Sequence, residues 1–188
     1  MLTYYELRKG VQFIYEGQPY EVLDFRQMGK SQDVVVAQTK IRNLINGKII
    51  PKNFHQSDRF EEADISKFNA KFIYGSRGKY VFSEENDPSK RFELTEEQLG
   101  DIVPFLKANE IVEGIRFEDT IINIDLPVKV QLKVTEAAPG VKGDRAQGGT
   151  KGVTLETGAT IQVPLFVEQD DIVEVNTETG EYVRRIQE

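Results

Sequence analysis

The 188-residue chain is 39% hydrophobic, contains no cysteine or tryptophan, and carries a formal net charge of −7. Without cysteine it has no disulfides, thiolate metal sites or cysteine nucleophile, a pattern that predicts a cytoplasmic protein. No run approaches the ~20 apolar residues of a membrane span, and Met1-Leu2-Thr3-Tyr4-Tyr5-Glu6 lacks the basic and apolar regions of a secretory signal.

His55 is the single histidine. A Ser-His-Asp triad would rest on that one residue, which lies in the polar stretch Lys52-Asn53-Phe54-His55-Gln56 and reads as an ordinary surface group. The negative net charge argues against broad nucleic-acid binding through bulk charge. Charge is uneven, however. Between Asp24 and Lys52 the basic residues Arg26, Lys30, Lys40, Arg42, Lys48 and Lys52 face only two acidic ones, Asp24 and Asp33. Residues 64–126 carry 8 basic and 13 acidic groups, and residues 127–188 carry 7 and 10. On charge alone, a solvated strand face explains the basic excess as well as an RNA contact does.

In chain order, Val11–Ile14 and Tyr20–Phe25 read as strands around the Glu16-Gly17 turn. A strand from Val34 to Ile45 follows, then Asn46-Gly47, which predicts a type I′ hairpin turn into Lys48-Ile49-Ile50. Turns about every 10 residues between short strands predict a small barrel, since closure removes exposed edges. After the polar stretch 55–66, Phe68, Ala70, Phe72 and Tyr74 alternate, Gly75-Ser76-Arg77-Gly78 turns, and Lys79–Phe82 returns. A helix is predicted over Thr95–Asn109, with a Thr95/Gln98 capping box and Leu99, Ile102, Val103 and Leu106 on one face. Pro104 is expected to kink or shorten it, and the helix is expected to plug an open barrel end. Strands Ile111–Phe117, Thr120–Leu126 and 128–134 come next, with Pro127 as punctuation. A loop with five glycines between Gly140 and Gly152 precedes three closing strands, Ala159–Phe166, Asp171–Val175 and Tyr182–Ile186. The chain is thus expected to be all-β, with three small barrels over 1–64, 65–127 and 128–188. Units of this size are marginal alone and are expected to pack on each other.

The glycine-rich loop fails the test for a phosphate-binding P-loop. Gly143-Asp144-Arg145-Ala146-Gln147-Gly148-Gly149 is not followed by Lys-Ser or Lys-Thr, and Thr150-Lys151 is in reversed order. It does offer Lys142, Arg145 and Lys151 on flexible backbone, suited either to an RNA backbone or to a plain hairpin loop. Glu168-Gln169-Asp170-Asp171 lacks EF-hand spacing and reads as a solvated turn. Between two strands, Arg26-Gln27-Met28-Gly29-Lys30-Ser31-Gln32 places Gly29 at a tight turn and Lys30 at or near its tip.

The segment Lys151-Gly152-Val153-Thr154-Leu155-Glu156-Thr157-Gly158-Ala159-Thr160-Ile161-Gln162-Val163-Pro164-Leu165-Phe166-Val167 resembles the signature of bacterial elongation factor P. Ala138–Asp144, Thr179-Gly180-Glu181-Tyr182-Val183, Arg8-Lys9-Gly10 and Gly17–Val22 are similar to the same family, so the resemblance spans the chain. Departures lie at Val153 and Asp170, where the family usually has Ala and Gly, and at Arg145, where it usually has Thr. At the tip, Met28-Gly29-Lys30-Ser31 stands for the common Pro-Gly-Lys-Gly.

The resemblance implies an L-shaped array of an SH3/KOW-like barrel and two OB-type barrels. It implies a non-enzymatic elongation factor that binds ribosomes stalled at consecutive prolines, beside the peptidyl-tRNA, and promotes peptide bond formation by positioning substrates. Its partners would be the 70S ribosome, through rRNA of both subunits, and the peptidyl-tRNA, with no membrane, metal or cofactor, and the factor would act as a monomer. The tip Lys30, flanked by Met28, Gly29 and Ser31, maps to the family's functional lysine and is a candidate for covalent extension by a lysine-modifying enzyme. Arg26, Lys40 and Arg42 on the basic unit, Lys142, Gly143, Asp144 and Arg145 in the loop, and Tyr182 and Arg185 near the C-terminus are the implied ribosome or RNA contacts. Two other classes remain: the related two-barrel, hypusine-containing factor of archaea and eukaryotes, against which residues 128–188 argue, and a generic OB/SH3 nucleic-acid-binding module without a ribosomal role.

Overall fold

The computed structural model describes residues 1–29, 35–138 and 149–186. Among the described residues the chain is all-β apart from one short helical segment. Near the N-terminus, β2 (Gln12–Tyr15), β3 (Gln18–Gly29), β4 (Val35–Asn43) and β5 (Ile49–His55) form an antiparallel meander. A two-stranded ribbon of Leu2–Thr3 (β1) and Arg59–Phe60 (β6) accompanies it. Aromatic rings fill this first core: Phe13 meets Phe60 edge-on at 5.1 Å and Phe54 meets Phe60 at 4.8 Å, the geometry that ring quadrupoles favour.

The second sheet comprises β7 (Ile65–Ser76), β8 (Lys79–Glu84), β9 (Asp87–Thr95), β10 (Ile111–Phe117) and β11 (Thr120–Asp125), in the order β11-β10-β7-β8-β9. The third comprises β12 (Lys129–Ala137), β13 (Thr150–Leu155), β14 (Thr160–Pro164), β15 (Ile172–Asn176) and β16 (Tyr182–Ile186), in the order β14-β13-β12-β15-β16. Counted from each sheet's own first strand, both run third, second, first, fourth, fifth, which is one OB-type Greek-key order used twice. In each, the two edge strands approach one another without a hydrogen-bonded ladder, so the sheet curls into a partly open barrel.

The helix is shorter than its sequence pattern predicts. Thr95 caps it with both capping-box bonds in place, but α1 covers only Glu96–Leu99. Gly100 takes φ +56°, which ends the α-helix, and a 3-10 turn continues over Gly100–Phe105 with Pro104 inside it. The segment still plugs the second barrel, since Leu99 and Leu106 belong to its core and Ile102 and Val103 pack against it. Phe105 turns the other way and is buried in the core of the third sheet, with Leu132, Val153 and Val173.

Two further expectations are corrected. The turn after β4 is not a two-residue type I′ hairpin: of Asn46 and Gly47, only Gly47 has positive φ, at +71°. Its amide reaches back to Asn43 O at 2.9 Å, and the Asn43 side chain accepts from the amides of Ile45 and Asn46, closing a wider loop. Four strands rather than three follow the glycine-rich loop, because β13 pairs with both β12 and β14.

Candidate functional site

The long β3–β4 hairpin dominates the first sheet. Its strands stay paired from Tyr20↔Asn43 to Gly29↔Val35, with a register shift between Val22 and Asp24. Such a bulge bends the strand and tightens its twist, and beyond it the outer arm of β3 is solvent-exposed over Arg26–Met28. On the other side β5 supports β4 as far as Val36↔His55. Buried Ala37 and Thr39 anchor that side, and Thr39 Oγ1 donates to Lys52 O at 2.9 Å. The arm is therefore well founded at its base and exposed along β3 as far as Met28. Lys30 and Ser31, which follow Gly29, lie outside the described residues.

The basic candidates on this sheet have different surroundings. Arg26 is 76% exposed and pairs loosely with Asp24 at 3.4 Å. Lys40 is exposed on β4. Arg42 is half-buried and bound: its Nη2 lies 2.7 Å from Glu21 and 3.7 Å from Asp125 of the second sheet. Its charge is shared with two carboxylates. Met28 is 55% exposed, one of several large apolar side chains that face solvent.

On the third sheet, Lys142, Gly143, Asp144 and Arg145 lie outside the described residues. Tyr182 is half-buried against the core. Arg185 pairs with Asp171 at 3.3 Å and its guanidinium lies 5.3 Å from the centre of the exposed Phe166 ring. Neighbouring Glu174 is nearly buried beneath Arg184, at 3.2 Å, and Lys129, at 3.5 Å. The Arg184 hydrogen bond is the largest influence lowering its pKa, with burial opposing. Among the described residues the candidates thus form two groups on two sheets, one along the β3–β4 arm and one along β16. Among the described residues, no three His, Asp or Glu side chains converge as metal ligands, and no helix is long and apolar enough to cross a membrane.

Sequence reasoning missed Asn123. It is 6% exposed, and its side-chain amide donates to Ile45 O at 3.1 Å and Gln98 O at 2.9 Å. Alternation along Ile122-Asn123-Ile124 assigns it to the solvent face, and no local signal marks a second packed surface there.

The family described as "Elongation factor P (EF-P) KOW-like domain" matches residues 3–60, and "Elongation factor P, C-terminal" matches residues 130–185. The protein named Elongation factor P from Desulfotalea psychrophila is 38% identical over 188 residues, covering 100% of both chains. That from Symbiobacterium thermophilum is 37% identical over 185 residues, covering 98% of this chain and 100% of the relative. A solved Eukaryotic translation initiation factor 5A from Methanococcus jannaschii aligns at TM-score 0.48 and 13% identity, over 66% of this chain and 92% of that one. Matched at both ends by the family's own descriptions and along its whole length by such relatives, the chain belongs to the elongation factor P family of translation elongation factors.

Proposed function

We propose that this chain binds ribosomes stalled at consecutive prolines, beside the peptidyl-tRNA, and promotes peptide bond formation by orienting the substrates. The observation that carries the reading is the full-length relation to proteins named Elongation factor P, 38% identical over all 188 residues in one case. The β3–β4 arm supports it: the strands pair out to Gly29↔Val35, and the chain passes from Gly29 directly into Lys30. Proline is a rigid and poor nucleophile, so fixing the geometry of the two reacting groups removes a large part of the barrier. A cation presented at the end of a narrow hairpin meets what such a role requires, a charge-assisted hydrogen bond to the tRNA backbone.

In this reading the chain works as a cytoplasmic monomer of three units, 1–64, 65–127 and 128–188, in an L-shaped array, and makes or breaks no bond itself. Lys30 carries a covalent extension installed by a lysine-modifying enzyme, while Lys142, Gly143, Asp144 and Arg145 of the third unit meet RNA at the far end with Tyr182 and Arg185. The test is a purified translation system programmed with proline-run and control templates. Added protein should raise the yield from the proline-run template and leave the control unchanged. Equal yields with and without the protein on both templates would refute the reading.

A further inference from the structure

The hairpin arm is useful only if its base is aimed. Leu44, Ile115 and Ile122 form a buried cluster between the first and second sheets, with Ile45, Ile65 and Phe117 packed against it. Apolar contact of this kind is non-directional, so it holds the sheets together without fixing their angle. Directional contacts lie beside it. An amide nitrogen has two hydrogens to give, and Asn123 uses both, one across the joint to Ile45 O and one to Gln98 O at the end of α1. Its Oδ1 accepts from the Ile124 amide at 2.8 Å, which fixes the orientation of the side chain. The second contact is Arg42, whose guanidinium joins Glu21 of the first sheet to Asp125 of the second. Arg42 Nε is buried without a hydrogen-bond partner, so the guanidinium faces the joint rather than solvent at a cost in desolvation.

Both contacts grip the root of the arm. Glu21 and Arg42 are cross-strand partners on β3 and β4, and Ile45 lies in the turn that follows β4. From Arg42 to Val35 the strand rises about 23 Å at ~3.3 Å per residue. A tilt of about 5° at the root therefore moves the outer end by about 2 Å, and misplacements of ~1 Å can cost ~10²-fold where orientation carries the rate.

We infer that Asn123 and Arg42 are positioning residues that set the direction of the β3–β4 arm, Asn123 through its two carbonyl contacts and Arg42 through the Glu21–Asp125 bridge. The functional half of this inference rests on the reading of Lys30 given above; the structural half does not. Because the chain has no cysteine, spin labels attached through Gln38→Cys on β4 and Arg91→Cys on β9 report the distance between the sheets. The parent should give one narrow distance distribution. Asn123→Ala should broaden or shift it and reduce proline-run rescue by up to ~10²-fold, with Lys30 untouched. Arg42→Gln, a milder change, should act the same way and serves if Asn123→Ala does not fold. Unchanged distances in both variants would overturn the inference, as would a broadened variant that rescues as well as the parent. A loss of rescue by Arg42→Gln at parental distances would make Arg42 an RNA contact instead, and would overturn its part. A parent protein without rescue would count against the proline-run reading alone, and the distances would still decide the joint.

Discussion

The ring of Phe105 lies against Gly180, with its Cζ 3.7 Å from the point where a Cβ on that glycine would stand. Phe105 belongs to the segment that plugs the second barrel, yet its ring is 7% exposed inside the core of the third. One short 3-10 turn therefore serves two barrels. Phe105→Ala should cost about 3–5 kcal/mol, the usual loss for a buried Phe, measured by urea denaturation. Hydrogen exchange locates the damage: amides of Val173 and Val175 should lose more protection than those of Val81 and Phe82. Loss confined to the second sheet would mean that Phe105 stabilises only its own barrel.

How far the fold could be read in advance depended on which forces were local. The strand pattern and the Thr95 capping box were legible because alternation and capping act within a few residues. The predicted helix is longer than the observed one because apolar spacing continues through Leu106, while the backbone break at Gly100 leaves no trace in that spacing. β13 was hidden by its glycine, although Val153 and Leu155, both buried, alternate across the same stretch. Arg42 and Asn123 show the limit for the site. Whether a strand cation meets solvent or a neighbouring barrel is decided by inter-sheet packing, which no local period encodes.

Gly114 is packed so closely that a side chain there would have to displace the ring of Phe68. A Cβ there would lie 2.4 Å from Phe68 Cζ. On one face the Phe68 ring is covered by Arg116 at 4.7 Å, itself held by Glu84 at 2.9 Å, so the ring must shift against that contact to make room. Gly114→Ala should destabilise the protein by about 1–3 kcal/mol through overpacking. The lowered denaturation midpoint should be partly restored by Phe68→Leu, which removes the opposing ring edge. Additive losses in the double variant would place the strain elsewhere.

Glu174 gives the protein an acid-sensitive contact. Held by Arg184 first and Lys129 second, its carboxyl binds a proton less readily than an ordinary glutamate. In the unfolded chain it protonates near pH ~4.3, so its contribution is complete above that value and fades as pH falls through the lower folded-state pKa. Glu174→Gln should be less stable than the parent at neutral pH, and the two should converge in acid. Denaturation midpoints at several pH values provide the check. A difference that persists undiminished to pH ~2 would assign the loss to packing rather than charge.

Lys30 carries the sharpest expectation. Under the proposed function, the side chain following Gly29 is the one that meets the acceptor end of the peptidyl-tRNA, and the paired arm behind it supplies only reach and rigidity. Lys30→Ala should then abolish most proline-run rescue. The change should shift stability by no more than about 0.5 kcal/mol, as is usual for surface substitutions away from packed features. The chemistry of any extension is a separate question from the identity of the site. Intact mass of protein isolated from its native host answers it: an extension adds a defined increment that disappears in Lys30→Ala. Lys30→Arg separates charge from chemistry, since it keeps a cation at the tip but removes the amine that an enzyme would extend. Rescue by Lys30→Arg at the parental level would make the bare charge sufficient. Rescue lost in both variants, with the mass increment present in the parent, would make the extension itself the functional group.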